Sequence, residues 1–536
     1  MSMFQDPIRE GLAQGWRILG GGIAPLPEQL DCDVAIVGSG AGAGVSAELL
    51  VKAGLKVTII EAGPLRSSSD FKQREADAYT SLYQEAAARK TADKAINIMQ
   101  GRCVGGSTTV NWAGAFRTPP EVLAHWGERF GLSDFSAAAM APWFEQVERR
   151  LHISPWPTGP NANNDVLRRG AEALGLAAKV VSRNVKGCWN LGSCGLGCPT
   201  NAKQSMLVST LPTALDLGAT LLVQTRARRL RLKDGRVDAL LAEPVTLDGQ
   251  VSGPALTITA RHYVVAGGAI NSPALLLRSD APDPNSLLGR RTFLHPTAGG
   301  TALFETEVAG WAGAPLSVYV DHFLHQAPLD GPMGYKLEVA PVHPGFALTN
   351  GGGLGPELAE RARQMPRTQL IIALMRDGFH AQSAGGRVLL RDDGSPVLDY
   401  ALNDYLLDGV HRAYLSMAEI QFAAGARTVR PVHEQAVPYR NLAEARAGIA
   451  ALRMQPFIAT VGSAHVMGGC TMAADAGRGV VRPDGQHWQL ANLSVHDGSL
   501  FPTSLGANPQ QTVYGLANKL SAGLIQRLGG RALPLA

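Results

Sequence analysis

The stretch DVAIVGSGAGAGVSAELLVKAGLKVTIIEAGP, residues 33–64, decides the fold of this chain. Its opening run, VAIV, is typical of a short buried strand. Gly38, Gly40 and Ala43 then fit G-x-G-x-x-G/A, in which a tight turn, a close backbone approach to a pyrophosphate and close helix packing each need a small residue. A second run, KVTII, ends at Glu61, whose carboxylate can accept hydrogen bonds from ribose hydroxyls. The unit predicts a Rossmann-like α/β domain that binds a dinucleotide, either FAD or NAD.

Composition narrows the class of protein. The chain has 536 residues, 45% of them hydrophobic, which is enough for two domains. Its net charge of +4 is close to neutral, so no nucleic-acid partner is predicted. No apolar run reaches the roughly 18 residues of a membrane span, so no integral membrane segment is expected. Six cysteines are too few for a disulfide framework, which favours a reducing compartment, and the cytoplasm is the predicted location.

Two further segments contain glycine-rich or helix-start patterns. GRCVGGSTTVNWAGAFRTP, from residue 101, has a second glycine turn at Gly105, Gly106 and Ser107 whose backbone N–H groups can approach a flavin ring. LSVHDGSLFPTSLGANPQQTVYGLANKLSAGLI, from residue 493, predicts a strand, a turn and a helix with Asn508 as N-cap and Pro509 as first helical residue. The positive end of that helix would stabilise an anionic reduced flavin if it faced the flavin N1–C2=O edge.

The middle of the chain differs from both ends. Alternating runs such as SVYVDHFLH and TQLIIALMRD, then the helical pattern DYLLDGVHRAYLSMAEIQFAAGA, predict an antiparallel sheet with helices on one side. This is an α+β substrate domain. The predicted division is a nucleotide-binding domain in three parts (28–120, 200–294 and 460–536), a connecting or lid segment with a cysteine-rich turn (121–199), and the substrate domain (295–459). The active site is expected where the two domains meet.

The order of motifs resembles the glucose–methanol–choline (GMC) oxidoreductases, which are FAD-dependent. The resemblance rests on IVGSGAGAG with EAGP, GRCVGGSTTVNWAG, VVAGGAINSPALLLRS at 264–279, LGRRTFLHP at 288–296, SAHVMGGCTM at 463–472 and DGSLFPTSLGANPQQT at 497–512. The GGC form of the histidine motif resembles the cholesterol-oxidase branch. The segments DPIREGLAQGW, CGLGCPTNAKQS and GRVLLRDDGSPVLDYAL resemble the long-chain fatty-alcohol oxidase and dehydrogenase branch. The resemblance implies the two-domain GMC architecture and the oxidation of an alcohol.

The resemblance also implies a catalytic pair, His465 and Asn508. The histidine would accept the alcohol proton while hydride passes from the carbinol carbon to flavin N5. A base is needed there because an alcohol is a very weak acid, and the pKa of histidine lies near the working pH. Asn508 can donate an amide hydrogen bond to the substrate oxygen. Two more histidines lie in motif segments: His496 is predicted to pack, and His295 is given no role.

The resemblance also implies which residues bind the cofactor, because they stand at the matching positions of the family's motifs. They are Gly38, Gly40, Ala43, Glu61, Gly105, Gly106, Ser107, Asn111, Ala266, Gly267, Asp497 and Pro509. Some members of the family attach FAD through a histidine just before the Asn111 position. Val110 stands there in this chain, so FAD is expected to bind non-covalently.

The substrate is less closely defined than the cofactor. Apolar stretches such as LIIALM suit a fatty, terpenoid or aromatic primary alcohol, and they suit a plain core equally well. The branch resemblance favours a long-chain or otherwise apolar primary alcohol, with a sterol or sugar as the alternative. The electron acceptor is left open among oxygen, a quinone and a redox partner. A non-catalytic or photoactive flavin-binding protein is the alternative of another class, and the presence of both His465 and Asn508 argues against it.

CWNLGSCGLGCPT, residues 188–200, carries Cys188, Cys194 and Cys198 with the spacing C-x5-C-x3-C. Three thiolates suffice for a [3Fe–4S] centre and fall one short of a closed zinc Cys₄ site. Membrane-linked sugar dehydrogenases of the resembled family carry an iron–sulfur centre in a similar region, although their full spacing is not reproduced here. The expectation is that no metal binds. An iron–sulfur centre that feeds electrons to a partner is the alternative, and zinc or a functional disulfide also stays open.

Overall fold

The two apolar runs of the glycine fingerprint form adjacent parallel strands, as predicted. In the computed structural model, which describes residues 5–350 and 353–534, the strands are Gln29–Val37 and Val57–Ile60, with the helix Ala41–Lys52 between them. The first strand begins before the apolar run because the long strand Leu256–Val265 pairs with it from Gln29 onward. Its alternate residues are buried on both faces of the sheet, which explains the continuous apolar run.

The first sheet has the Rossmann-like arrangement that was predicted. Its spatial order is Ile18–Gly20, Thr220–Val223, Val57–Ile60, Gln29–Val37, Leu256–Val265, Arg236–Pro244 and Thr225–Lys233, and Leu493–Val495 also pairs with Leu256–Val265. The first five of these strands and Leu493–Val495 pair in parallel, and the last two add an antiparallel extension. One face is covered by Ala41–Lys52, Thr210–Asp216 and Gln510–Leu528, against which Pro7–Ala13 and Ala137–Arg150 pack.

The second sheet is mainly antiparallel, as predicted for the substrate domain. Its order is Ile96–Ile98, Val461–Ser463, Thr297–Leu303, Thr368–Met375, Tyr335–Val339, Val318–Val320 and Lys179–Val180, and Thr428–Pro431 also pairs with Thr297–Leu303. The helices Asp404–Ala423, Ala162–Ala173 and Leu442–Ala450 form a layer on one side. The strands Ile96–Ile98 and Val461–Ser463 come from the segments 28–120 and 460–536. They therefore join the two domains directly, and the exact domain boundaries stay a prediction.

Smaller elements connect the two sheets. A four-stranded sheet contains Pro396–Asp399, Gly386–Leu390, Arg290–Phe293 and Met467–Gly468, and a three-stranded sheet contains Gly114–Ala115, Ser182–Asn184 and Ile153–Pro155. The other α-helices are Glu75–Leu82, Ser107–Val110, Pro120–Phe130, Gly268–Arg278, Pro344–Asn350 and Pro356–Gln364. Among the described residues, no helix has both the length and the apolar character that a membrane crossing requires.

The start of the C-terminal helix corrects one prediction. The helix runs from Gln510 to Leu528, and Pro509 occupies the capping position. Asn508 is therefore one residue too early to be the N-cap, and its side chain donates and accepts hydrogen bonds across the domain junction instead. The side chain of Pro509 has no hydrogen-bond acceptor, so the first N–H groups of this helix have no side-chain cap.

Candidate active site

A cavity of about 1460 Å³ lies where the two sheets meet, as expected from the domain organisation. Typical ligand pockets occupy about 300–1,000 Å³, so this cavity has room for a dinucleotide and a substrate together. Every predicted catalytic and cofactor-binding residue lines it except Ala43 and Gly105. Ala43 is fully buried in the packing of its helix. The N–H of Gly105 donates to Ser39 Oγ over 3.0 Å, so Gly105 stands one layer behind the wall.

The two glycine turns form a close-packed cradle in the cavity wall. Gly38 has φ +101°, and a Cβ there would lie 2.4 Å from the carbonyl oxygen of Ala266. Gly106 has φ +54°, and its Cβ would lie 2.8 Å from the Cα of Gly40. Only glycine combines this backbone conformation with such close contact. The turns precede the helices Ala41–Lys52 and Ser107–Val110. The first N–H groups of Ala41–Lys52 have no partner within the helix and are available to an anionic group such as a pyrophosphate.

The carboxylate of Glu61 is held rigidly at one side of the cradle. One oxygen accepts from the N–H and hydroxyl of Ser39 at 3.1 and 2.5 Å, and the other accepts from the N–H of Gly63 at 2.7 Å. Burial raises the pKa of Glu61, and these hydrogen bonds oppose that rise. The oxygen that accepts from Gly63 has a second lone pair for a ribose hydroxyl.

Asp497 lines the cavity beside the start of the fingerprint helix, where its Cα lies 3.4 Å from the position of a Cβ on Gly42, and it anchors a second helix. Its Oδ2 accepts from the N–H of Gly268 at 2.7 Å and from the hydroxyl of Ser272 at 2.5 Å, and its Oδ1 accepts from the N–H of Ser499 at 2.8 Å. The carboxylate thus lies at the N-terminus of the helix Gly268–Arg278, where a negative charge is favourable.

His465 lies in the cavity wall just after the strand Val461–Ser463 and meets a second histidine. Its Nδ1 is 3.1 Å from Nδ1 of His295, and the ring centroids are 5.2 Å apart. His295 is fully buried, has φ +48°, and its Nε2 has no hydrogen-bond partner in the structure. Desolvation, followed by the nearby ammonium group of Lys336, lowers the pKa of His465 to about 3. Burial also lowers the pKa of His295 well below its usual value, so both rings are neutral at pH 7.

The pairing of two neutral rings has a consequence for the tautomer of His465. One Nδ1 must carry a hydrogen and the other must accept it. If His465 is the donor, its Nε2 is unprotonated and able to accept a proton. His295 therefore stands where the orienting group of a catalytic histidine is needed.

Asn508 contacts a buried ion pair on the second sheet. Lys336 Nζ is 2.6 Å from Asn508 Oδ1 and 2.7 Å from Glu338 Oε1. Asn508 Nδ2 donates to Glu338 Oε2 over 3.2 Å. All three residues are almost completely buried, with Lys336 exposing 2% and Glu338 1% of their surfaces. The amide is thus held between an ammonium and a carboxylate group.

The cavity wall beyond this ion pair is apolar. Leu370, Ile372 and Leu374 alternate along the strand Thr368–Met375 and all line the cavity, while Ile371 and Ala373 face the helical layer. Leu316, Pro341, Phe346 and Val432 continue the apolar lining. The period of two in this strand explains why LIIALM serves the core and the cavity at the same time.

The cysteine-rich turn gives no support to the iron–sulfur alternative. Within residues 5–350 and 353–534, no group of three or more histidine, cysteine, aspartate or glutamate side chains is arranged to hold a metal ion. Cys188, Cys194 and Cys198 are all free thiols in the structure.

A buried lysine ties this turn to the cavity wall instead. Lys203 Nζ donates to the carbonyl oxygens of Thr109, Asn111 and Cys194 at 2.7, 2.8 and 2.8 Å. Burial lowers the pKa of Lys203 to about 8, against the opposing effect of Cys194 and its neighbour Cys198. The turn therefore braces the segment that carries Asn111.

Comparison with known proteins agrees with this architecture. Two family models described as GMC oxidoreductase match residues 79–297 and 381–517. Long-chain-alcohol oxidases FAO1 and FAO4B of Arabidopsis thaliana are 30% and 28% identical over 92% and 93% of this chain, and the matches cover 67% and 68% of those longer proteins. Among solved structures, formate oxidase of Aspergillus oryzae superimposes with a TM-score of 0.69 at 15% identity, over 94% of this chain and 99% of that one. The chain belongs to the GMC oxidoreductase family.

Three residues at the site were missed or given no role by sequence reasoning. The pattern YKLEV places Lys336 and Glu338 two apart in an otherwise apolar strand, hence on the same face, and that is a signal for a buried ion pair. The sequence shows that His295 lies in the motif LGRRTFLHP, but it does not show that His295 contacts His465.

Proposed function

We propose that this chain uses non-covalently bound FAD to oxidise an apolar, long-chain primary alcohol to the aldehyde. One observation carries the proposal: His465 and Asn508 line the same cavity as the glycine cradle, at the end of an apolar wall. The family and the long-chain-alcohol oxidases similar to this chain support alcohol oxidation.

The cavity residues suit FAD. The two glycine turns would hold its pyrophosphate, and Glu61 would accept hydrogen bonds from the adenosine ribose. Val110 precedes Asn111 and has no nucleophilic atom, which supports non-covalent binding. When bound, FAD supplies the acceptor for the hydride that leaves the carbinol carbon.

His465 serves as the base for the alcohol proton. Because its pKa is about 3, the imidazole is neutral at pH 7 and available as an acceptor. With Nδ1–H donated to His295, the unprotonated Nε2 takes the hydroxyl proton as the C–H bond breaks. The alcohol thereby loses one proton and one hydride, which together make the two-electron oxidation.

Asn508 orients the alcohol for this step. Its amide oxygen is engaged by Lys336 and one amide hydrogen by Glu338, so the second amide hydrogen is left to donate to the substrate oxygen. This contact fixes the carbinol carbon relative to His465.

Glu338 does not favour a cationic substrate, because Lys336 already neutralises it. The apolar wall favours an aliphatic chain over a sugar. The electron acceptor that reoxidises the cofactor, whether oxygen, a quinone or a redox partner, and the cytoplasmic location stay predictions. Hydrogen peroxide formation under air would identify oxygen as the acceptor.

Anaerobic reduction of the bound flavin by straight-chain primary alcohols, from butanol to hexadecanol, tests the proposal. We expect the second-order rate constant to rise about fourfold per methylene while the chain extends along the wall, because each buried CH₂ contributes about 0.8 kcal/mol. Ile372→Ser should weaken this dependence and leave reduction by butanol nearly unchanged. His465→Ala should slow reduction by ~10²–10⁴-fold with the flavin retained. Absence of reduction by every alcohol of the series would refute the proposal.

A further inference from the structure

Lys336 is an unusual residue for the largely apolar strand Tyr335–Val339. On the neighbouring strand, Lys336 pairs with Leu374 and Glu338 pairs with Ile372, and both of these partners are apolar. Burying an ammonium group is unfavourable, and Glu338 at 2.7 Å and the face of the Phe116 ring at 3.7 Å offset part of that cost. An apolar pair of the same volume would pack here without that cost. The charge pair therefore needs an explanation other than stability.

The explanation follows from the donor and acceptor inventory of the three side chains. An ammonium group has three donors and no acceptor, so the Asn508 atom that it touches at 2.6 Å must be the amide oxygen. A carboxylate has only acceptors, so the atom 3.2 Å from Glu338 Oε2 must be the amide nitrogen. An asparagine amide can otherwise be turned over with nearly the same shape. Lys336 at the amide oxygen and Glu338 at the amide nitrogen together prevent the Asn508 amide from turning over.

We propose that Lys336 is a positioning residue that fixes one orientation of the Asn508 amide, with Glu338 as its counter-charge, so that an N–H donor always faces the reacting alcohol oxygen. The inference rests on the proposed alcohol oxidation. With the amide inverted, the carbonyl oxygen would face the substrate. It could not donate to the alcohol oxygen, on which negative charge develops as the proton leaves.

A double-mutant cycle tests whether Lys336 acts through Asn508. The variant Lys336→Met/Glu338→Gln removes the cation and its counter-charge together and keeps both side-chain volumes, so that no unpaired charge is buried. We expect it to slow anaerobic flavin reduction by decanol about tenfold, with the apparent Kd for decanol changed less than about threefold. In an Asn508→Ala background, the same pair of substitutions should change the rate less than about twofold.

The outcomes are separable. An equal loss of rate in both backgrounds, or no loss in the wild-type background, overturns the role of Lys336. Failure of the wild-type flavin to be reduced by decanol overturns the proposed function, and this inference with it. If the paired variant does not fold, the cycle is run with Lys336→Gln/Glu338→Gln. The glutamine amide at 336 either donates to or accepts from Asn508, so it selects no orientation, and the same non-additive loss is expected.

Discussion

The contact between His295 and His465 leads to a quantitative prediction. In the variant His295→Leu, Nδ1 of His465 loses the partner that stands 3.1 Å away. A buried polar group left without its hydrogen bond costs about 1–3 kcal/mol. If that cost falls on the reacting tautomer, flavin reduction slows by about 5- to 150-fold, since each 1.36 kcal/mol is a factor of ten. The thermal midpoint should fall as well, because leucine is strained in the left-handed backbone at this position, φ +48°.

The matched control is His295→Asn. Asparagine has nearly the size of leucine, accepts the left-handed backbone at this position, and keeps a hydrogen-bonding atom near the place of Nδ1. Both variants are assayed by stopped-flow flavin reduction under anaerobic conditions, at equal flavin content and with the thermal midpoint measured on the same samples. We expect the asparagine variant to recover most of the lost rate. Reduction by the leucine variant within twofold of the wild type, or equal slowing in both variants, would refute the reasoning.

Three further predictions concern binding and stability. Gly42→Ala should prevent FAD binding or folding, because its Cβ would lie 1.6 Å from the carbonyl oxygen of His496; flavin absorbance of the purified variant checks this, and normal FAD content contradicts it. Lys203→Met should lower the free energy of unfolding by roughly 3 kcal/mol, measured by urea denaturation, because three carbonyl groups lose their donor, whereas Cys188→Ser should cost less than about 1 kcal/mol. Burial lowers the pKa of His262 to about 3, so below about pH 6.5 the unfolded chain binds more protons than the folded one. The free energy of unfolding therefore decreases as the pH is lowered. From pH 7 to pH 5 this histidine lowers the free energy of unfolding by about 2 kcal/mol. The decrease over this range should therefore be about 2 kcal/mol smaller in His262→Gln than in the wild type. An equal decrease in both proteins would contradict the reasoning.

The local elements of this fold follow directly from sequence patterns. The fingerprint places a strand, a turn, a helix and a second strand within 33–64, and each step depends on neighbours only a few residues away. The long helical pattern around residues 404–423 and the strand around 368–375 are likewise periodic over their own length. The start of a strand is harder to predict when it depends on pairing with a strand far away in the sequence. The strand that begins at Gln29 is an example, because it pairs with Leu256–Val265.

For the candidate site, the sequence determined the presence and order of the glycine turns, Glu61, His465 and Asn508, through motifs in which each residue type has a chemical reason. What only the tertiary structure decided is the set of partners that orient them. His295 and His465 are 170 positions apart, and Lys336 and Asn508 are 172 apart. A hydrogen bond at such separation depends on how two sheets pack against each other, and no local period in the chain records that packing. The same physical reason made the cysteine spacing ambiguous, because whether three thiols converge depends on the path of the chain around Lys203 and not on the intervals between them.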